Sequence, residues 1–150
     1  MDNSIISVKN LSKLYGPEQQ KAMRLKKKGA DKDEIYKKTG VTIALWDVSL
    51  EIEQGEIFVI IGLSGSGKST LVRCFNRLNK PTKGSVFFQG TKISDFDKKS
   101  LREYRRNKIA MVFQHFGLMT HRTVLGNGEY GLELKGLPKE ERRKTATEML

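Results

Sequence analysis

Gly62, Gly67, Lys68 and Ser69 fall in the spacing G-x-x-x-x-G-K-[ST] inside IFVIIGLSGSGKST, residues 57–70. Those residue types in that order suit one chemistry, the holding of a phosphate chain. The glycines let the backbone bend until successive amide N–H groups, from about Gly65 to Thr70, point inward at phosphate oxygens. A helix that begins there adds its dipole to the same point. Lys68 would reach the outer phosphates as a point charge, and the Ser69 hydroxyl would coordinate magnesium. Gly62, Ser64, Gly65, Ser66, Gly67, Lys68, Ser69 and Thr70 are therefore the candidate binding residues. The competing explanation is a chance match in a flexible loop, and the flanking elements decide against it.

IFVII is apolar throughout, as expected of a strand covered on both faces in a mostly parallel sheet. After the loop, STLVRCFNRLN places Leu71, Cys74, Phe75 and Leu78 at helical spacing, and KPTKG ends that helix. KIAMVFQ is a second apolar strand, expected beside the first in the core. SIISVKNL and VTIALWDVSLEI alternate apolar and polar residues, so both read as strands exposed on one side, and SVFFQG reads as a third. Between the first two lies GPEQQKAMRLKKKGADKDEIYKKTG, with helical spacing at Ala22, Met23 and Leu25 and a breaker at Gly29 and Ala30. A short polar helix capped by Asp31 or Asp33 follows, so a helical insertion over about 17–40 is expected between two paired strands. DKKSLREYRRN reads as a charged helix, and TVLGNGEYGLELKGLP as a weakly amphipathic one loosened by Gly126, Gly128 and Gly131. PKEERRKTATEML opens another helix with Pro138 in its first turn and acidic residues following.

The 150 residues fit one ordinary domain, and 37% hydrophobic with 30% charged residues is a globular profile. Lysine and arginine number 28 against 17 aspartates and glutamates, a balance compatible with nucleic acid, an acidic membrane surface or a chain shown in part. The single cysteine, Cys74, excludes an internal disulfide framework and fits a reducing compartment. MDNSIISVKN lacks a signal-peptide core, and the apolar run Ile57 to Ile61 is far too short to span a bilayer, so a cytoplasmic chain is expected. The basic run RLKKKGADKDEIYKK lacks interleaved aromatics and reads better as a solvated face than as a nucleic-acid surface. Neither His115 nor His121 stands at metal-ligand spacing from Cys, Asp or Glu, and Trp46 reads as packing. Cys74 reads as a buried small hydrophobe.

At GLSGSGKST and the later MVFQHFGLMTHRTVLGN, the sequence resembles the nucleotide-binding subunit of ATP-binding cassette transporters. It is similar above all to the importers of glycine betaine and proline betaine, through the insertion, the run GEIFVIIGLSGSGKSTLVRCFNRLNKPTKG and the stretch FQHFGLMTHRTVLGNGEYGLEL. The resemblance implies an α/β fold: a P-loop NTPase core with part of its parallel sheet. An antiparallel β subdomain, from the N-terminal strands and the strand near Val86, completes it together with the helical insertion. It implies ATP and Mg2+ as ligands. Gln114 falls in the loop, about 114–122, whose glutamine contacts the magnesium and the attacking water. A neutral amide there can donate and accept without repelling a triphosphate, although the same amide at a strand end could simply satisfy backbone groups. Tyr15, in LSKLYG, falls where the family stacks an aromatic on adenine, with core packing as the alternative. Residues 115–130 correspond to the region that docks on the transmembrane permease. The family further implies a homodimer of the full-length subunit, a substrate-binding protein engaged indirectly, the cytoplasmic face of the membrane as the location, and no nucleic-acid partner. GNGEY departs from the usual acidic residue before Asn and branched apolar residue after it, and each glycine weakens that helix by about 1 kcal/mol relative to alanine.

Three family elements have no counterpart after Gln114: an apolar strand ending in Asp-Glu, the Leu-Ser-Gly-Gly-Gln signature that reaches a partner's γ-phosphate, and the switch histidine that follows in the family. LSGSG lies inside the cradle itself. The expectation is therefore the N-terminal part of a longer ATPase subunit, which by itself binds MgATP and does not turn it over. The alternative is a non-catalytic nucleotide-binding fragment or degenerate gene product. A nucleic-acid-handling P-loop ATPase is disfavoured by FQHFGLMTHRTV.

Overall fold

A computed structural model describes residues 4–114 and 117–150. His115 therefore lies outside the described residues. The chain divides into two units, one ending at Asp97 and the other running from Lys98 to Leu150.

The first unit is built on a four-stranded antiparallel sheet in the order β2-β1-β3-β4, with β1 at Ser4–Tyr15, β2 at Thr42–Glu53, β3 at Lys83–Phe88 and β4 at Thr91–Lys92. Strict alternation along β1 could not bury Val8, Leu11 and Leu14 together, yet all three are buried. Several irregularities resolve the conflict: Asn10 takes a φ of 47°, and the register with β2 slips between Val8 and Leu11, between Leu11 and Lys13, and between Lys13 and Leu14. Side chains knit the first of these, since Asn10 N–H donates to Ser49 Oγ at 2.9 Å and Asn10 Nδ2 to Asp47 Oδ1 at 3.1 Å.

Between β1 and β2 run α1 (Gln19–Lys27) and α2 (Lys32–Thr39). They close over Leu14, Ala22, Ile35, Val41 and Ile43, with Met23, Leu25, Ala30 and Trp46 packed at the margin. Of the two candidate caps, Asp31 does the work: its Oδ1 accepts from Glu34 N–H at 2.7 Å. Gly40, at φ 64°, ends α2 with its N–H on the Tyr36 carbonyl. A 3-10 turn at Ile93–Asp95 follows β4.

The expected parallel core strands do not form. Residues 57–61 and 108–114 carry no ladder hydrogen bonds, and Ile57, Ile61 and Val112 are 90% or more exposed. All strand pairs among the described residues are antiparallel. The physical reason is that a doubly covered strand needs neighbours on both edges and cover on both faces, and neither segment finds these within its unit.

The helix after the loop, α3 (Lys68–Phe75), is also shorter than its apolar spacing implied. Asn76 turns its Oδ1 onto Leu78 N–H and Arg77 takes a φ of 56°, so the helical path ends there. In the second unit, α4 spans Lys98–Asn107, α5 Val124–Leu134 and α6 Lys139–Met149. Pro138 is the N-cap of α6 and stands just outside the first turn. Helix α5 forms despite its glycines, with Thr123 Oγ1 accepting from Gly126 N–H at 3.1 Å as its cap. No described helix is long and apolar enough to cross a membrane.

Candidate phosphate-binding site

Gly67 is the residue on which the loop geometry turns. It caps α3 at φ 100° and ψ 0°, a conformation that favours glycine, and Gly65 stands at φ 77°. A Cβ on Gly67 would collide with the Ala44 carbonyl oxygen and lie 2.9 Å from Leu45 Cδ2, so the loop is seated directly against β2. At the other end, a Cβ on Gly62 would come 2.7 Å from Ser66 Oγ. The turn itself is closed by Ser66 N–H donating to the Leu63 carbonyl at 3.2 Å.

Lys68 folds back across this turn. Its Nζ donates to the Gly62 carbonyl at 2.7 Å and to the Leu63 carbonyl at 2.8 Å. The ammonium thus sits inside the curve of the loop, among oxygen acceptors. Along α3, the first backbone bond back to the loop is Leu71 N–H to the Gly67 carbonyl at 2.9 Å, and no side chain caps the helix. The N–H groups of Lys68, Ser69 and Thr70 precede that bond and have no acceptor within the helix. Ser69 is exposed and Thr70 half-buried; Gly62, Ser64, Gly65 and Ser66 are exposed.

These residues fit a phosphate chain. Free helix-start N–H groups, a positive dipole end and an ammonium already holding two oxygens make an acceptor-binding concavity. They also fit magnesium: the Ser69 hydroxyl is a hard oxygen donor of the kind Mg2+ takes together with phosphate oxygens. Among the described residues, His, Cys, Asp and Glu nowhere gather three together for a metal.

Tyr15 ends β1 opposite Thr42, two residues before the Ala44 that abuts Gly67. The register therefore brings the ring and the loop to the same end of β2. The ring is 41% exposed, with Lys13 Nζ 4.7 Å from its centroid, so it is not a core residue. Gln114 belongs to the second unit, where it is exposed at a bend and not at the end of a strand. Cys74 is buried in α3, and burial pushes its thiol up to about 11 against the opposing charge of Lys13. His121 is exposed.

In the second unit, the sequence reading did not single out Arg122, Asn127 or Glu133. The Arg122 guanidinium donates to Glu133 Oε2 at 2.8 Å and stacks 4.8 Å from the Tyr130 ring centroid. The hydrogen bond from Arg122 holds the Glu133 carboxyl below its ordinary value. The only sequence signal was charge of opposite sign eleven positions apart, a separation no helical rule would pair.

Comparison with known proteins places this geometry in context. The family described as ABC transporter matches residues 45–150. The glycine betaine/proline betaine transport system ATP-binding protein ProV of Salmonella typhimurium is 52% identical over 145 residues, covering 97% of this chain and 36% of that protein. The glycine betaine transport ATP-binding protein OpuAA of Bacillus subtilis is 51% identical over 97% of the chain and 35% of its own length. The chain thus spans about a third of the length of the curated relatives it matches. Among solved structures, a dimeric bacterial ABC transporter cassette superposes with a TM-score of 0.75 at 36% identity, covering 95% of this chain and 54% of that one. A post-hydrolysis dimer of an ATP-binding cassette bound to ADP and Pi gives a TM-score of 0.74 with the same identity and coverage.

Proposed function

This chain belongs to the ABC transporter family, and from that premise we propose that it is the MgATP-binding part of the energy-coupling subunit of an importer for osmoprotectants of the glycine betaine and proline betaine type. One observation carries the proposal: alignments at 51–52% overall identity to betaine-transport ATP-binding proteins span 97% of the chain.

The roles follow from the chemistry of each group. The N–H groups from Gly65 to Thr70 receive phosphate oxygens. Lys68 exchanges the Gly62 and Leu63 carbonyls for the outer phosphates, one set of oxygen acceptors for another. Ser69 supplies a hydroxyl to magnesium, Tyr15 stacks on the base, and Gln114 orients the attacking water. MgATP, when bound, supplies the phosphoryl group and leaving group for an in-line displacement. Within the importer, the region 115–130 meets the transmembrane permease at the cytoplasmic face, the full-length subunit acts as a homodimer, and the substrate-binding protein is engaged indirectly.

Thermal unfolding with and without excess MgATP, beside Lys68→Ala, tests the nucleotide assignment. A ligand at about a hundred times its Kd adds roughly 2.7 kcal/mol to the folded state. The midpoint should rise in the unaltered chain and stay still in Lys68→Ala. A chain indifferent to MgATP, or an equal rise in the variant, would refute the assignment.

A further inference from the structure

Asn127 lies in the first turn of α5 between Gly126 and Gly128. Its carboxamide makes four hydrogen bonds, all to the backbone of the loop that leads into the helix. Oδ1 accepts from Met119 N–H at 2.7 Å. Nδ2 donates to the carbonyls of Met119 at 3.1 Å, Arg122 at 3.3 Å and Thr123 at 3.0 Å. Two amide protons are shared among three carbonyls, so both N–H donors are used.

Arg122 also ties this loop to α5, through Glu133 Oε2 at 2.8 Å and the Tyr130 ring, and Thr123 Oγ1 caps the helix, but neither of these reaches Met119. Leu118 and Val124 are 64% and 74% exposed, and α5 contains no buried residue, so apolar packing does not anchor the junction. The turn bond from Arg122 N–H to the Met119 carbonyl closes the loop on itself, not on α5. Gly126 and Gly128 make the first turn of the helix intrinsically soft. The Asn127 carboxamide is what fastens the Met119 end of the loop to α5.

We propose that Asn127 is a positioning residue that clamps residues 119–123 to α5, so that a displacement arriving along the chain from the Gln114 side moves the helix instead of being absorbed in the loop. It rests on the reading above in which this region couples nucleotide to the permease.

The test exploits the polarity of the amide. Asn127→Asp keeps the acceptor for Met119 N–H but sets a carboxylate oxygen against three carbonyls. Those carbonyls hold the carboxyl in its protonated form and raise its pKa above the ordinary value of about 3.9. Stabilisation by the protonated acid is complete below that unfolded-state value and is lost as pH rises through the raised one. Hydrogen exchange at the Met119 amide, corrected for intrinsic rates, should therefore quicken at least ~10-fold in Asn127→Ala and in Asn127→Asp at pH 7, a loss of about 1.4 kcal/mol in local protection. Asn127→Asp should regain protection as pH falls toward about 4, whereas a merely structural disturbance would not titrate. Unchanged exchange in Asn127→Ala, or a pH-independent Asn127→Asp, overturns the clamp. In the assembled importer, uptake per phosphate released should drop several-fold in Asn127→Ala while the MgATP shift of the chain persists. Equal uptake per phosphate overturns the transmission role. A chain whose unfolding ignores MgATP instead sinks the nucleotide assignment and leaves exchange to decide the clamp.

Discussion

Alanine at Gly65 and at Gly67 should have unequal costs, and the difference measures how firmly the loop is seated on β2. Both positions have positive φ, 77° and 100°, so each alanine pays the left-handed penalty of roughly 1–2 kcal/mol. Gly65 has nothing within 4 Å of an added Cβ, so that penalty is its whole cost. At Gly67 the methyl meets the Ala44 carbonyl oxygen and lies 2.9 Å from Leu45 Cδ2. A backbone oxygen in a paired strand cannot swing aside, so overpacking adds about 1–3 kcal/mol. Gly67→Ala should then be less stable than Gly65→Ala by about 2 kcal/mol, or roughly 1 M in urea midpoint at a slope near 2 kcal/mol/M. Urea unfolding followed by circular dichroism reads this directly. Equal midpoints would show that Gly67 is not packed on Ala44, and the account of how β2 positions the phosphate loop would fail with it.

Other consequences can be checked in the same preparation. Ile35→Ala empties a fully buried position between α1–α2 and the sheet and should cost about 2–5 kcal/mol, with exchange quickening first in residues 19–39; a loss below ~1 kcal/mol would mean the helical pair is not packed there. Because the Arg122 hydrogen bond lowers the Glu133 pKa, that pair's contribution should be present above the ordinary carboxylate range and vanish as pH falls through the lowered value. Arg122→Met should flatten this acid limb of the stability profile; an unchanged profile would refute the pairing. Cys74, raised to about 11 by burial, should resist iodoacetamide at pH 8 until the chain unfolds, and rapid labelling of the native chain would contradict its burial.

What could be read beforehand divides along a physical line. Local rules reported local facts. The spacing of Gly62, Gly67, Lys68 and Ser69 announced a loop entering a helix, and Ala22, Met23 and Leu25 announced a helix packed on one face. Alternation in residues 42–53 announced a one-sided strand. The irregularities along β1, at Asn10 and again between Leu11 and Leu14, were illegible because they arise from a conflict between alternation and a spacing of three in Val8, Leu11 and Leu14, which only the paired register exposes. The short hairpin to β4 was missed although Gly90, with Gln89 at φ 47° and itself at 76°, marks its turn.

The larger error concerned residues 57–61 and 108–114, and its cause is instructive about the site. Continuous apolar character states which environment a segment requires, namely neighbours on both edges and cover on both faces, but not which strands provide them. The loop from Gly62 to Gly67 inherits its position from two sources, the segment before Gly62 and the β2 surface under Gly67. With the former unpaired, the contact of Gly67 with Ala44 and the fold-back of Lys68 onto Gly62 and Leu63 are what define the concavity in this chain. Nucleotide affinity should accordingly follow the integrity of β1 and β2, where Tyr15 and Ala44 share one end of the pairing, more closely than any change in the apolar residues 57–61.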